Sequence, residues 1–166
     1  MPANIDIYCI DTSSLIDLKP YPMDIFKGLW DNLSQLIKQE RLIAPREVLK
    51  ELERGKDDLL KWSKRNKKMF HDLNPEIIKE GAIIIRKFPL IAKADSETPN
   101  ADPYIIALAI IKNRQLHEQL CFGNKCLVVT EEKFKPNKQN IPGACKYFGV
   151  ECINLLDFFR REGWKF

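Results

Sequence analysis

The chain has 166 residues, 45% hydrophobic and 30% charged, with a formal net charge of +4. That length suits one ordinary domain, residues 1–166, with a sizeable apolar core, and the composition excludes a disordered tail. No window reaches the ~18 apolar residues of a membrane span, and the opening Met1-Pro-Ala-Asn-Ile-Asp6 lacks the basic and apolar regions of a secretory signal, so a cytoplasmic location is expected.

Ile5 to Ile10 is short, apolar and β-branched and predicts a buried strand that runs directly into Asp11-Thr12-Ser13-Ser14, a set of helix-capping residues. Leu15, Ile16 and Leu18 predict a short helix ending near Pro20. Ile25, Phe26, Leu29, Leu33, Leu36 and Ile37 keep helical spacing and predict an amphipathic helix from about Pro22 to Glu40. Leu42 to Ala44 reads as a second strand, and Pro45 as the start of a helix carrying Val48, Leu49 and Leu52, closed near Gly55. Asp57 to His71 reads as one helix with a basic face. Asn74-Pro75-Glu76 opens a helix to about Phe88. The polar stretch from Lys93 to Ala101 reads as a loop, and Asp102-Pro103 opens the next, oily helix. Lys125 to Thr130 is a strand, followed by a Lys-, Pro- and Asn-rich loop and a short helix ending at Gly149. Val150 to Ile153 is the last strand, and Asn154 caps a helix to about Gly163.

Apolar strands separated by helices predict an α/β fold, a three-layer sandwich around a parallel sheet. Sites in such folds lie beyond the carboxyl ends of the strands. Acidic residues recur there: Asp11 after the first strand, Glu51 in the helix after the second, Asp102 at the mouth of the central helix, and Glu131 and Glu132 after Thr130. Clustered carboxylates repel unless a cation or proton joins them. Mg²⁺ takes hard oxygen ligands, and two such ions ~3.5–4 Å apart can drive phosphodiester cleavage. Each residue also has a plainer reading. Asp11 and Asp102 suit helix caps, and Glu51, Glu131 and Glu132 suit solvated charges.

The five cysteines, Cys9, Cys121, Cys126, Cys145 and Cys152, are odd in number, form no CxxC and read as buried thiols. His117, Cys121 and Cys126 match no common zinc spacing.

In order and spacing, Ile10 to Ile16, Ala44-Pro45-x-x-Val48-x-x-Glu51-Leu52, Ala101 to Ala109 and Val128 to Lys133 resemble the PIN-domain nucleases over essentially the whole chain. The segments 141–154 and 163–166 look like a little-characterised prokaryotic branch related to the VapC-type toxins. The resemblance implies a ribonuclease dependent on Mg²⁺ or Mn²⁺, with Asp11, Glu51 and Asp102 as the core metal ligands. Glu132, where an Asp is usual, falls at the fourth acidic position, with Glu131 as its alternative. It also implies a hydroxyl near the first Asp (Thr12 or Ser13), a role for Thr130, an RNA substrate, an antitoxin partner and a homodimer.

Other α/β enzymes fit less well. A receiver domain wants an acidic pair near the N-terminus, a haloacid-dehalogenase-like phosphatase wants an Asp where Ser13 stands, and no P-loop motif occurs. The non-enzyme alternative is a catalytically silent PIN-like scaffold that binds RNA or protein. From Arg54 to Lys68 there are seven basic residues against two acidic ones. Lys61, Lys64, Arg65 and Lys68 are candidate contacts to an RNA backbone, with Trp62 as either a base-stacking platform or a core residue.

Overall fold

The computed structural model describes residues 5–92 and 100–166. The loop expected from Lys93 to Ala101 falls largely outside the described residues. Strand β1 spans Ile7–Ile10 and turns at Asp11 into helix α1, Thr12–Ile16. Helix α2, Lys27–Lys38, is shorter than the spacing predicts. Residues 22–26 form a turn instead, and Ile25 is exposed rather than packed. Strand β2, Leu42–Pro45, runs into α3, Arg46–Leu52, and α4 follows at Asp58–Arg65.

The spacing predicts one helix over Asp57 to His71, but the chain leaves α4 at Asn66. It makes a 3₁₀ turn at Lys67–Met69 and enters a two-residue strand β3, Phe70–His71. The basic run keeps helical periodicity past Arg65. Burial of Met69 and Phe70 beside β2 overrides that local preference.

Helices α5, Pro75–Lys87, and α6, Asp102–Glu118, lead to strand β4, Cys126–Val129. Helix α7, Ile141–Phe148, strand β5, Cys152–Ile153, and helix α8, Leu155–Arg161, complete the chain. Asparagine side chains at 74, 140 and 154 cap α5, α7 and α8 by accepting from backbone N–H groups.

The five strands lie in the order β3-β2-β1-β4-β5 and every pairing is parallel. Flanked by eight helices among the described residues, the sheet is the centre of a three-layer α/β/α sandwich. β2 and β4 are buried along their whole length, as strands covered on both faces must be. Helix α6 is the main cover. Its Ile105, Ile106, Leu108 and Ala109 are buried, and Cys9 Sγ of β1 contacts the Ile105 carbonyl at 3.4 Å. The parallel arrangement brings the ends of β1, β2 and β4 to one edge of the sheet. No helix among the described residues is long and apolar enough to cross a membrane.

Candidate functional site

A cavity of about 550 Å³ opens at that edge, and Asp11, Glu51, Asp102 and Glu132 all line it, with Thr12, Ser13 and Asn100 between them and Lys19 and Arg54 at its side. Each acidic residue arrives by a different route. Asp11 is the first residue after β1 and Glu51 sits in the second turn of α3. Asp102 begins α6, and Glu132 follows β4 by three positions.

Asp11 is the most deeply placed, 2% exposed. Its Oδ1 accepts from the Ser14 backbone N–H at 2.8 Å, so it does cap α1. Its Oδ2 accepts from the Ser13 hydroxyl at 2.7 Å and the Thr130 hydroxyl at 2.5 Å. Capping and site residue are therefore one role: the cap fixes one oxygen and two hydroxyls aim the other. Burial pushes the Asp11 carboxyl above the usual carboxylate range, and the bonds from Thr130, Ser14 and Ser13 pull it part of the way back.

Glu51 is tied equally firmly. Its Oε2 accepts from the Thr12 hydroxyl at 2.6 Å and its Oε1 from the Ala101 N–H at 2.8 Å, which fastens α3 to the mouth of α6. Asp102 is not the cap of α6. Ala101 holds that position, Asp102 lies in the first turn, and the Asp102 N–H donates to Asn100 Oδ1 at 3.1 Å.

Glu131 and Glu132 part company. Glu131 turns away, its Oε1 accepting from the Leu155 N–H at 2.7 Å to support the start of α8. Glu132 lines the cavity, while its Oε2 accepts from the Ile141 N–H at 3.0 Å at the start of α7. Thr130 connects the two halves of the site, since its Oγ1 donates to Asp11 and accepts from the Glu132 N–H at 3.1 Å.

The carboxylates of Asp11, Glu51, Asp102 and Glu132 and the hydroxyls of Thr12 and Ser13 are the hard oxygen donors that suit a divalent cation. No ready-made cage is present: among the described residues no three His, Cys, Asp or Glu gather closely enough to hold an ion. Mg²⁺ seldom uses such a cage and takes one or two carboxylates together with waters and substrate phosphate, so the residues present fit it.

The basic face of α4 is exposed at Lys61, Lys64 and Arg65, and Lys68 is exposed in the 3₁₀ turn beyond it, but Trp62 is not part of that face. The Trp62 ring is buried and packs edge-to-face on Trp30 at 5.0 Å, so it is a core residue and not a base-stacking platform. The cysteines divide likewise. Cys9, Cys126 and Cys145 are buried as expected, whereas Cys121 and Cys152 reach partly to solvent. Thr12 and Asn100 are cavity residues with little individual sequence signal. Thr12 is legible only as an alternative hydroxyl, and Asn100 only by its place beside Asp102.

The profile of the family described as Domain of unknown function (DUF4411) matches residues 8–166, almost the full length, and the chain belongs to that family. No curated protein matches it.

Proposed function

We propose that this member of the DUF4411 family is a divalent-metal-dependent endoribonuclease of the cytoplasm, and the toxin of a toxin–antitoxin pair. The observation that carries the reading is the convergence of Asp11, Glu51, Asp102 and Glu132 on one cavity at the carboxyl edge of a parallel sheet. The order and spacing of those residues, which resemble the PIN-domain nucleases, supply the reaction class.

Asp11 and Asp102 would hold Mg²⁺ or Mn²⁺, with Glu51 and Glu132 beside them. Such a cation neutralises phosphate charge and makes water a competent nucleophile near neutral pH. The chain's own residues supply orientation. Ser13 and Thr130 hold one Asp11 oxygen in place. Thr12 and the Ala101 N–H hold Glu51 in one rotamer, so the carboxylates do not need to be ordered when substrate arrives. Lys19 and Arg54 also line the cavity, and Lys19 pairs at 2.6 Å with Asp57, a further carboxylate of its wall. No described histidine lines it, so proton transfer falls to carboxylate and water rather than imidazole.

Incubation of purified protein with RNA in millimolar Mg²⁺ or Mn²⁺ should give fragments with 5′-phosphate and 3′-hydroxyl ends. Excess EDTA should abolish cleavage, and Asp11→Asn should lower the rate by about 100-fold or more. Equal cleavage in EDTA, or full activity of Asp11→Asn, would overturn the reading. A homodimer belongs to the same proposal and is read by sedimentation velocity.

One observation favours the second reading, a silent RNA- or protein-binding scaffold: Asp11, Glu51 and Glu132 already have hydrogen-bond partners within the chain. Mn²⁺ titration followed by calorimetry separates the two, since a scaffold should give no heat that Asp11→Asn removes.

A further inference from the structure

The loop after β4 and the outer face of α7 carry a surface that the acidic cavity does not use. Phe134 is 48% exposed and Tyr147 59% exposed. A lysine stands over each ring: Lys146 Nζ lies 4.7 Å from the centre of Phe134, and Lys87 Nζ 4.7 Å from the centre of Tyr147. The Tyr147 ring is held from behind by Phe88, edge-to-face at 5.5 Å, and Phe148 at 5.0 Å. From Lys133 to Lys146 the chain has four lysines and no acidic residue. Lys133, Lys135, Lys138 and Lys146 are exposed, and none forms an ion pair with a described carboxylate.

This surface begins at the cavity. Phe134 stands two residues after Glu132, and a smaller hollow of about 270 Å³ is lined by Thr130, Glu131, Glu132, Phe134, Pro142 and Asp157.

We infer that Phe134 and Tyr147 are stacking platforms for unpaired bases of a single-stranded RNA whose phosphates lie along Lys133, Lys135, Lys138 and Lys146. The inference deepens the reading of the acidic cavity as an RNA-cleaving site and rests on it for the choice of RNA. Exposed rings interleaved with cations are the recurring chemistry of single-strand binding, because every unpaired base offers a face and every nucleotide a charge. A duplex keeps its base faces stacked inside and has nothing to offer the rings. A protein partner is the poorer fit, since protein interface cores are depleted in lysine. The amino-acid pattern points instead to the basic face of α4, where the accompanying Trp62 is buried and unable to stack.

The test is fluorescence anisotropy with a labelled 12-nucleotide single-stranded RNA and the matching RNA duplex, with the full chain in EDTA so that binding is read without cleavage. The single strand should bind more tightly than the duplex. Phe134→Ala and Tyr147→Ala should each weaken single-strand binding about tenfold, while Phe134→Trp and Tyr147→Phe should hold it within about twofold of the unsubstituted chain. The double variant Lys135→Gln/Lys138→Gln should flatten the slope of log K against log salt by roughly 1.4, about 0.7 per lost phosphate contact.

Single-strand binding that is absent, or unchanged in both alanine variants, overturns the inference. If those variants leave RNA binding alone but abolish self-association in sedimentation, the surface belongs to a protein contact and the inference fails equally. The two readings fail separately: stacking without metal-dependent cleavage removes the nuclease and keeps the surface, and cleavage indifferent to Phe134 and Tyr147 does the reverse.

Discussion

Thr130 shows how much one hydroxyl can organise. It is 2% exposed, donates to Asp11 and accepts from the Glu132 N–H. Thr130→Val keeps the shape and removes both bonds, leaving a buried carboxylate short of a donor. The expected cost is about 2 kcal/mol, read by urea unfolding. His71 offers a pH signature. Burial first, then the Lys112 charge, holds its imidazole below the ordinary value. The unfolded chain therefore takes up a proton near pH 6.5 while the folded one resists until lower pH, so stability falls as pH drops below about 6.5. His71→Gln should flatten the decline of Tm between about pH 7 and pH 5. The thiols give a third residue-scale check. Burial drives the Cys126 thiol up to about 12 and that of Cys9 well above its ordinary value, and the hydrogen bond with Cys152, then burial, does the same for Cys145. A thiol-selective reagent at pH 8 should label Cys121 and Cys152 in the native protein, and the other three only after unfolding.

At the scale of elements, α5 and α6 meet where Gly81 faces Tyr104. A Cβ at position 81 would lie 2.7 Å from the Tyr104 ring, a distance that forces the ring or the helix to move. Alanine is the better helix former by about 1 kcal/mol, yet overpacking costs about 1–3 kcal/mol. Gly81→Ala should therefore lower Tm, and adding Tyr104→Leu should restore it. Elements announced by caps and long periodic runs are legible in the amino-acid sequence: α5, α6 and α8 carry Asn-Pro, Asp-Pro and Asn signals at their starts. Elements decided by tertiary burial are not. β3 is two residues long, inside a run with helical spacing, and only contact with β2 makes it a strand. The start of α2 departs from its periodicity for the converse reason, because Ile25 continues the pattern but points to solvent.

On the scale of the whole molecule, the end of the sheet opposite the cavity is closed by charge. Asp6, 1% exposed, accepts from Arg161 Nε at 2.8 Å and from the Lys125 N–H at 3.1 Å, and Arg41 pairs with Glu162 at 2.6 Å. Helix α8 is thereby pinned to the start of β1. Arg161→Met should destabilise by about 2–4 kcal/mol, and adding Asp6→Asn should recover part of it, a coupling that a double-mutant cycle measures. The candidate site is legible as a set of residues because a parallel sheet sends every strand end to one edge, a rule of topology rather than of local sequence. Its interior is less so. Which of Glu131 and Glu132 faces inward depends on the two helix starts they support, at Leu155 and Ile141, and both look alike in the sequence.

The strand order also sets a timetable. β1 lies at the centre of the sheet, and on one side it is matched residue for residue with β4, Ile7 to Cys126 and Ile10 to Val129. Ribosomes add roughly 5–20 residues per second, so the first strand waits on the order of ten seconds for that neighbour. During this interval an oily strand has an open edge and the cell's chaperones have their opportunity. Thr130, which completes the hydrogen bonding of Asp11, emerges later still. A nascent chain thus carries no finished site. Whatever chemistry the cavity performs begins only after the segment that carries Thr130 and Glu132 has joined Asp11.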